Sequence, residues 1–193
     1  NKFKFSSGVI LPENYENGFL LEYEDEDRVD EESCWFSTSN GSYIVIKSPE
    51  KLPKEVVAKI SEHYQEYEDA IFNKGVNPEN GKSYKEYVNF ESLVKLFTIE
   101  QFSKDIDTFM ASTFMYLDND NKFNFNTVWD FDIAYGIGSN DSFDDNQKTS
   151  GFAVFNTKIS EKLLEIDSFN DSFREYYNNN FSKIIDNFLS EDF

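Results

Sequence analysis

Apolar residues recur along this chain at two spacings, and the switches between them mark the elements. Residues 1–17 are mixed, with Gly8 and Pro12 breaking any pattern, and Gly18 to Tyr23 then reads as a strand. Ser42 to Lys47 is a second strand, β-branched and ended by Ser48 and Pro49. Pro53 suits the first turn of a helix. From there Val56, Val57, Ile60, Tyr64, Tyr67, Ala70 and Ile71 recur at helical spacing, with charges on the opposite face. Gly75, Pro78 and Gly81 mark a loop, and a second helix is predicted over 90–103, with Leu93, Leu96, Phe97 and Phe102 apolar. A hairpin follows: Ser112 to Leu117 and Lys122 to Val128 are its strands, and Asp118 to Asn121 its turn. The chain is polar and loop-like from Gly136 to Thr149, and helices over roughly 157–166 and 170–189 close it. These period switches predict an α+β fold, mainly helical with short strands, in a single domain over residues 1–193.

Composition says what fills the core. With 21 Phe and 11 Tyr but only two Met and two Trp, aromatic rings must supply much of the buried surface. Charge excludes partners. A net charge of −19 repels nucleic acid and anionic lipid. It also repels ATP, unless divalent cations bridge carboxylates and phosphates. The acidic stretch Glu24 to Glu32 reads as a solvated loop. Cys34 is the only cysteine, so an intrachain disulfide and a cysteine zinc cluster are both ruled out. His63, the only histidine, lies in a helical pattern on a charged stretch, a poor setting for a Ser-His-Asp triad. No run approaches the ~18 apolar residues of a membrane span, and no signal peptide is visible. The chain starts at Asn1 without Met, so it is expected to be a piece of something longer.

Candidate chemistry lies between Glu100 and Gly138. A kinase needs an Asp that orients the substrate hydroxyl and takes its proton, a polar residue a few positions later, and a second Asp beyond a hairpin for metal. Asp107 is followed five residues later by Ser112, and Asp130, Phe131 and Asp132 follow the predicted hairpin. The hairpin is long enough to run out and back, so the two carboxylates can meet at one site. An Asp-x-Asp pair at a strand end is also an ordinary structural feature, and the spacing alone leaves both readings open. Asp118 and Asp120 resemble the start of an EF-hand loop, which would imply a calcium-binding domain. Lys122 and Phe123 stand where a ligand and Gly are needed, so a plain turn is the better reading.

The order of Glu100, Lys104, Asp107, Ser112, Thr113, Phe114, Tyr116, Asp118, Val128 to Asp132, Ala134 and Gly136 resembles the signature segment of the CotH kinases. Gly18 to Glu22 and Val45 to Glu50 are similar to two upstream motifs of the same family, so the resemblance runs from about residue 18 to 188. It implies an atypical protein-kinase-like fold, phosphorylation of protein Ser hydroxyls and use of Mg-ATP. It also implies a spore-coat, cell-surface or secreted setting with a protein of that setting as substrate.

Carried over residue by residue, the resemblance makes Asp107 the catalytic Asp and Asp130 the metal-binding Asp. Ser112 and Asp132 become weaker candidates for metal or phosphate contact, and Trp129 and Phe131 are expected to pack beneath the loop. Three positions depart from the family pattern: Asp105 in place of Asn, Met110 at an often basic position, and Thr127 in place of Pro. No Gly-rich nucleotide loop is visible, and Lys47 reads as structural. The expectation is therefore the C-lobe-like, C-terminal part of such a kinase domain, without its N-lobe and inactive alone. The alternative is a catalytically degenerate surface or spore-coat interaction module.

Overall fold

The computed structural model describes residues 2–11, 18–136 and 157–189. Six strands form one antiparallel sheet: β1 (Phe3–Lys4), β2 (Phe19–Tyr23), β3 (Trp35–Ser37), β4 (Tyr43–Ser48), β5 (Phe114–Leu117) and β6 (Phe123–Asn124), in the spatial order β1-β3-β4-β2-β5-β6. Five α-helices accompany it among the described residues: α1 (Lys54–Phe72), α2 (Tyr84–Tyr87), α3 (Phe90–Ser103), α4 (Lys158–Leu164) and α5 (Asp167–Leu189). The fold is α+β, as expected.

Strand β2 organises the sheet because both of its edges are used. Leu21 pairs with Ile46 of β4 on one side and with Met115 of β5 on the other, and all three are buried. The β5–β6 hairpin is therefore an extension of the sheet that the N-terminal strands begin. Gly18 opens β2 at φ +140°, with the Tyr116 ring laid directly over it. A Cβ there would sit 1.9 Å from the Tyr116 hydroxyl oxygen, so only glycine fits.

Helix α1 runs from its N-cap Pro53 with all seven expected apolar positions buried. A chain of tyrosines joins it to the sheet: the Tyr23 hydroxyl bonds that of Tyr64, and the Tyr64 ring meets Tyr67 and Phe123 edge-on. Helix α3 holds the predicted bounds and is capped by Asn89, whose side chain accepts from Ser92 N and donates to Asn124 at 2.9 Å. Phe97 meets Phe169 and Phe173 of α5 edge-on at 5.2 and 4.9 Å, which fastens the last helix to the third. The core is as aromatic as the composition requires.

Sequence periodicity left three elements out. Strands β1 and β3 are too short to show an alternation, and β1 is fixed by pairing Phe3 with Phe36 rather than by its own pattern. Helix α2 is held by a capping box in which Ser83 and Glu86 satisfy each other's backbone donors. The turn of the hairpin is the plain turn expected: Asp118 Oδ1 accepts from Asp120 N and Lys122 N, and Oδ2 from Asn124. The acidic stretch is solvated apart from one turn of 3-10 helix, Val29–Glu31, anchored by buried Val29. The polar loop expected over Gly136 to Thr149 lies, from residue 137, outside the described residues. Among those described, no helix is long and apolar enough to cross a membrane.

Candidate functional site

The site begins where α3 stops. Lys104 turns into the left-handed region at φ 55°, and both its N–H and that of Asp105 bond Glu100 O, which folds the chain back onto the last helical turn. Asp105 Oδ1 then accepts the Asp107 N–H at 3.1 Å, a local turn that sets the Asp107 backbone. Asp107 O accepts from Met110 N and Ala111 N, so the loop doubles back again. Phe109 and Ser112 both take positive φ, at 59° and 53°, and the Thr113 hydroxyl holds the Phe109 N–H at 2.9 Å. Tyr23 N bonds Thr113 O at 3.0 Å, so the end of the loop is hung from β2.

The second half arrives after β6. Phe125 N bonds the Ser92 hydroxyl, and the chain then reaches Asp130, itself left-handed at φ 63°, an arrangement Asp tolerates better than most residues. One turn of 3-10 helix, Phe131–Ile133, follows, and Tyr135 N closes on Ser103 O at 2.6 Å. Both ends of this segment are tied to α3.

These two segments join Ser112 to Asp130 and put Asp107 within electrostatic reach of Asp130 and Asp132. Ser112 Oγ donates to Asp130 Oδ2 at 3.1 Å. Asp107, half-buried, has its carboxyl pushed up to about 6, first by burial and then by the charges of Asp105, Asp25, Asp130 and Asp132. Asp132 lies exposed on the 3-10 turn, within electrostatic reach of Asp107 and without a direct bond to it. Asp130 and Asp132 offer carboxylate oxygens of the kind a hard divalent cation takes. Among the described residues, no group of three or more His, Cys, Asp or Glu side chains is arranged to hold a metal by itself.

Two expectations about supporting residues need correction. Trp129 is 60 % exposed and touches the Phe114 ring edge-on, so it does not pack beneath the loop. Phe131 is only half-buried. Within the same two segments Ile106, Phe109 and Ala134 are buried apolar residues. Lys47, expected to be structural, is engaged by two carboxylates. Its ammonium lies 3.2 Å from Glu22 and 2.9 Å from Glu32. His63 serves packing, with Nε2 at 2.8 Å from Asn121 O and its ring against Tyr87 and Phe123.

Sequence reasoning missed the layer behind Asp107. Glu100 and Asp105 are 5 % and 4 % exposed, and their carboxyls are hydrogen-bonded to each other. Burial and the neighbouring Asp105 push Glu100 up to about 8. Asp105 is raised as well, chiefly by burial. Asp25, from the acidic stretch, adds its charge to Asp107 from the far side. The position of Glu100 and Asp105 at i and i+5 across a helix end was the available signal.

Nothing matches among curated proteins or solved structures. The family model described as CotH kinase protein matches residues 12–192, nearly the whole chain. It spans the strand β2, the loop around Asp107 and the Asp130 turn, and the chain belongs to the CotH kinase family.

Proposed function

We propose that this protein serves transfer of the γ-phosphoryl group of ATP to a protein Ser hydroxyl, with Asp107 as the catalytic residue. The observation that carries the reading is the Ser112–Asp130 bond across the β5–β6 hairpin, with Asp107 feeling the Asp130 charge. Asp107 fits a base. A carboxyl raised toward 6 is ionised near neutrality and more basic than an ordinary Asp. It would orient the substrate hydroxyl and take its proton as the oxygen bonds to the γ-phosphorus and the bond to the ADP oxygen breaks.

The donor set suits magnesium, which commonly takes one or two carboxylates and completes its shell with phosphate oxygens and water. Asp130, with Asp132 and Ser112 beside it, would hold the ion, whose charge would offset that of the triphosphate in this negative field. The chain itself supplies the geometry: the αL turn at Asp130 aims that carboxylate toward Ser112, and the loop from Lys104 sets Asp107.

The same reading makes the chain the C-lobe-like, C-terminal part of an atypical kinase domain. The nucleotide-covering half would then come from elsewhere in a longer protein. The absence of a Gly-rich nucleotide loop from the sequence supports this, and Lys47 is engaged by Glu22 and Glu32. The same absence, with Asp105 and Met110 departing from the family pattern, favours the second reading, a catalytically degenerate interaction module at a spore coat or cell surface. Calorimetry separates them. Magnesium-dependent ATP binding by this chain or by a longer parent chain, lost in Asp130→Ala, supports phosphoryl transfer. No binding in either leaves the interaction module.

A further inference from the structure

We propose that Glu100 and Asp105 hold one proton between them, and that this buried acid pair is the positioning element that fixes Asp107. The inference rests on the reading of Asp107 as the catalytic residue. It concerns groups that neither touch substrate nor belong to the proposed metal site.

Burial of both carboxyls, with Thr108 set beside each residue, favours a shared proton. Both side chains are at least nine-tenths buried, and their carboxyls are hydrogen-bonded to each other. Two carboxylates offer only acceptors, so a bond between them requires one to be protonated. Ionising both would place two like charges in contact away from water, which the fold resists. The pair therefore keeps one proton well above the ordinary carboxylate range, as the shift of Glu100 to about 8 reflects.

The connection to Asp107 is direct. Asp105 Oδ1 accepts the Asp107 N–H at 3.1 Å. Thr108 braces both members, its hydroxyl lying 3.1 Å from Asp105 O and 3.4 Å from Glu100 Oε2. The Asp105 carboxyl is thus held from behind by protonated Glu100 and in front by the backbone that carries the catalytic side chain. The charges of Asp130 and Asp132, from the turn after β6, oppose loss of the proton, whereas the Asp107 N–H favours an ionised Asp105. When the proton leaves, Asp105 is repelled from Glu100 and the turn that sets Asp107 loosens. The site is built to be intact at neutral pH and to slacken in alkali.

The test follows carboxyl carbons and amide exchange by NMR in this chain between pH 5 and 10. In the natural sequence a Glu100–Asp105 carboxyl should titrate near pH 8, and the protection factor of the Asp107 amide should fall about tenfold through the same transition. Glu100→Gln and Asp105→Asn each retain a donor without needing the proton, so both should keep Asp107 protected across that range. Glu100→Leu removes the donor and should lower the protection at every pH. Titration of both carboxyls below pH 5.5 would overturn the proposal, as would an Asp107 amide indifferent to the transition. The pH series on the natural sequence decides the matter even if a variant fails to fold. Failure of ATP binding would defeat the phosphoryl-transfer reading and leave these observables unchanged, so the two can fail separately.

Discussion

Ser112 and Asp130 meet across the base of the β5–β6 hairpin, the serine hydroxyl donating to the aspartate carboxylate at 3.1 Å. Both residues sit at positive φ, at 53° and 63°, so each spends backbone strain to make that contact. Strain held at two facing positions by one side-chain bond is a reason to expect the bond to matter for ligand geometry more than for stability. The contact is solvent-exposed, so Ser112→Ala should change stability by no more than about 1 kcal/mol. Magnesium-dependent nucleotide affinity should fall roughly tenfold, equivalent to about 1.4 kcal/mol. Ser112→Gly, which relieves the positive φ, should be at least as stable as the Ala variant in thermal melts.

Asp107 gives a pH prediction with a definite sign. Its carboxyl is raised from 3.8 to about 6, so its favourable contribution to folding is full below about pH 4 and is lost as the pH rises through 6. Asp107→Asn abolishes that ionisation. Once the shift is discounted for solvent around a half-exposed group, the variant should gain about 1 kcal/mol at pH 8 relative to pH 4. Phosphoryl transfer by a longer parent chain should instead rise through pH 6 and be absent when it carries Asp107→Asn. Melting curves and initial rates across pH 4–8 check both halves.

Removing the ammonium of Lys47 should be costly for a reason unrelated to nucleotide. Glu22 is nearly buried and already raised by that burial, and Lys47 is the cation that offsets it. Lys47→Met should destabilise by about 1–3 kcal/mol at pH 8. The loss should shrink as the pH falls and Glu22 takes up a proton. Nucleotide affinity should be unchanged. A large drop in ATP binding with stability intact would move Lys47 into the site.

Gly18 offers a steric test. Gly18→Ala puts a methyl into the Tyr116 ring at a φ that suits glycine, and should cost about 2–3 kcal/mol. Tyr116→Ala should recover the steric share and leave the conformational share. A double-mutant cycle by urea unfolding should therefore be non-additive.

The long periodic segments were legible in the sequence because their patterns are their own. Helix α3 falls on its expected bounds, and α1 buries each residue its spacing selected. The hairpin was legible as a turn between apolar runs, but its pairing partner was not. Nothing in Phe114 to Leu117 announces that β2, far upstream, is its neighbour. Of the candidate residues, Ser112 bonds Asp130, and Asp107 feels the charges of Asp130 and Asp132. Trp129 was misjudged because a tryptophan beside a functional Asp was assumed to need burial, whereas its ring rests on Phe114 at the surface. The sequence marks Asp105 only as a departure from the family pattern. Its burial against Glu100 depends on how the chain turns at Lys104, and no periodicity encodes that turn.

The double use of β2 has a kinetic consequence. Thr113, which closes the loop around Asp107, is hung from Tyr23, and Leu21 pairs with Met115 across the whole of α1, α2 and α3. Those contacts are among the most distant in the chain, and the loop entropy they cost is repaid only once the intervening helices have docked. A nascent chain therefore carries the acidic loop residues for some time before they form a site. The loop that carries Asp107 is thus closed by contacts of high sequence separation, which form late relative to the local turns of α1 and α3.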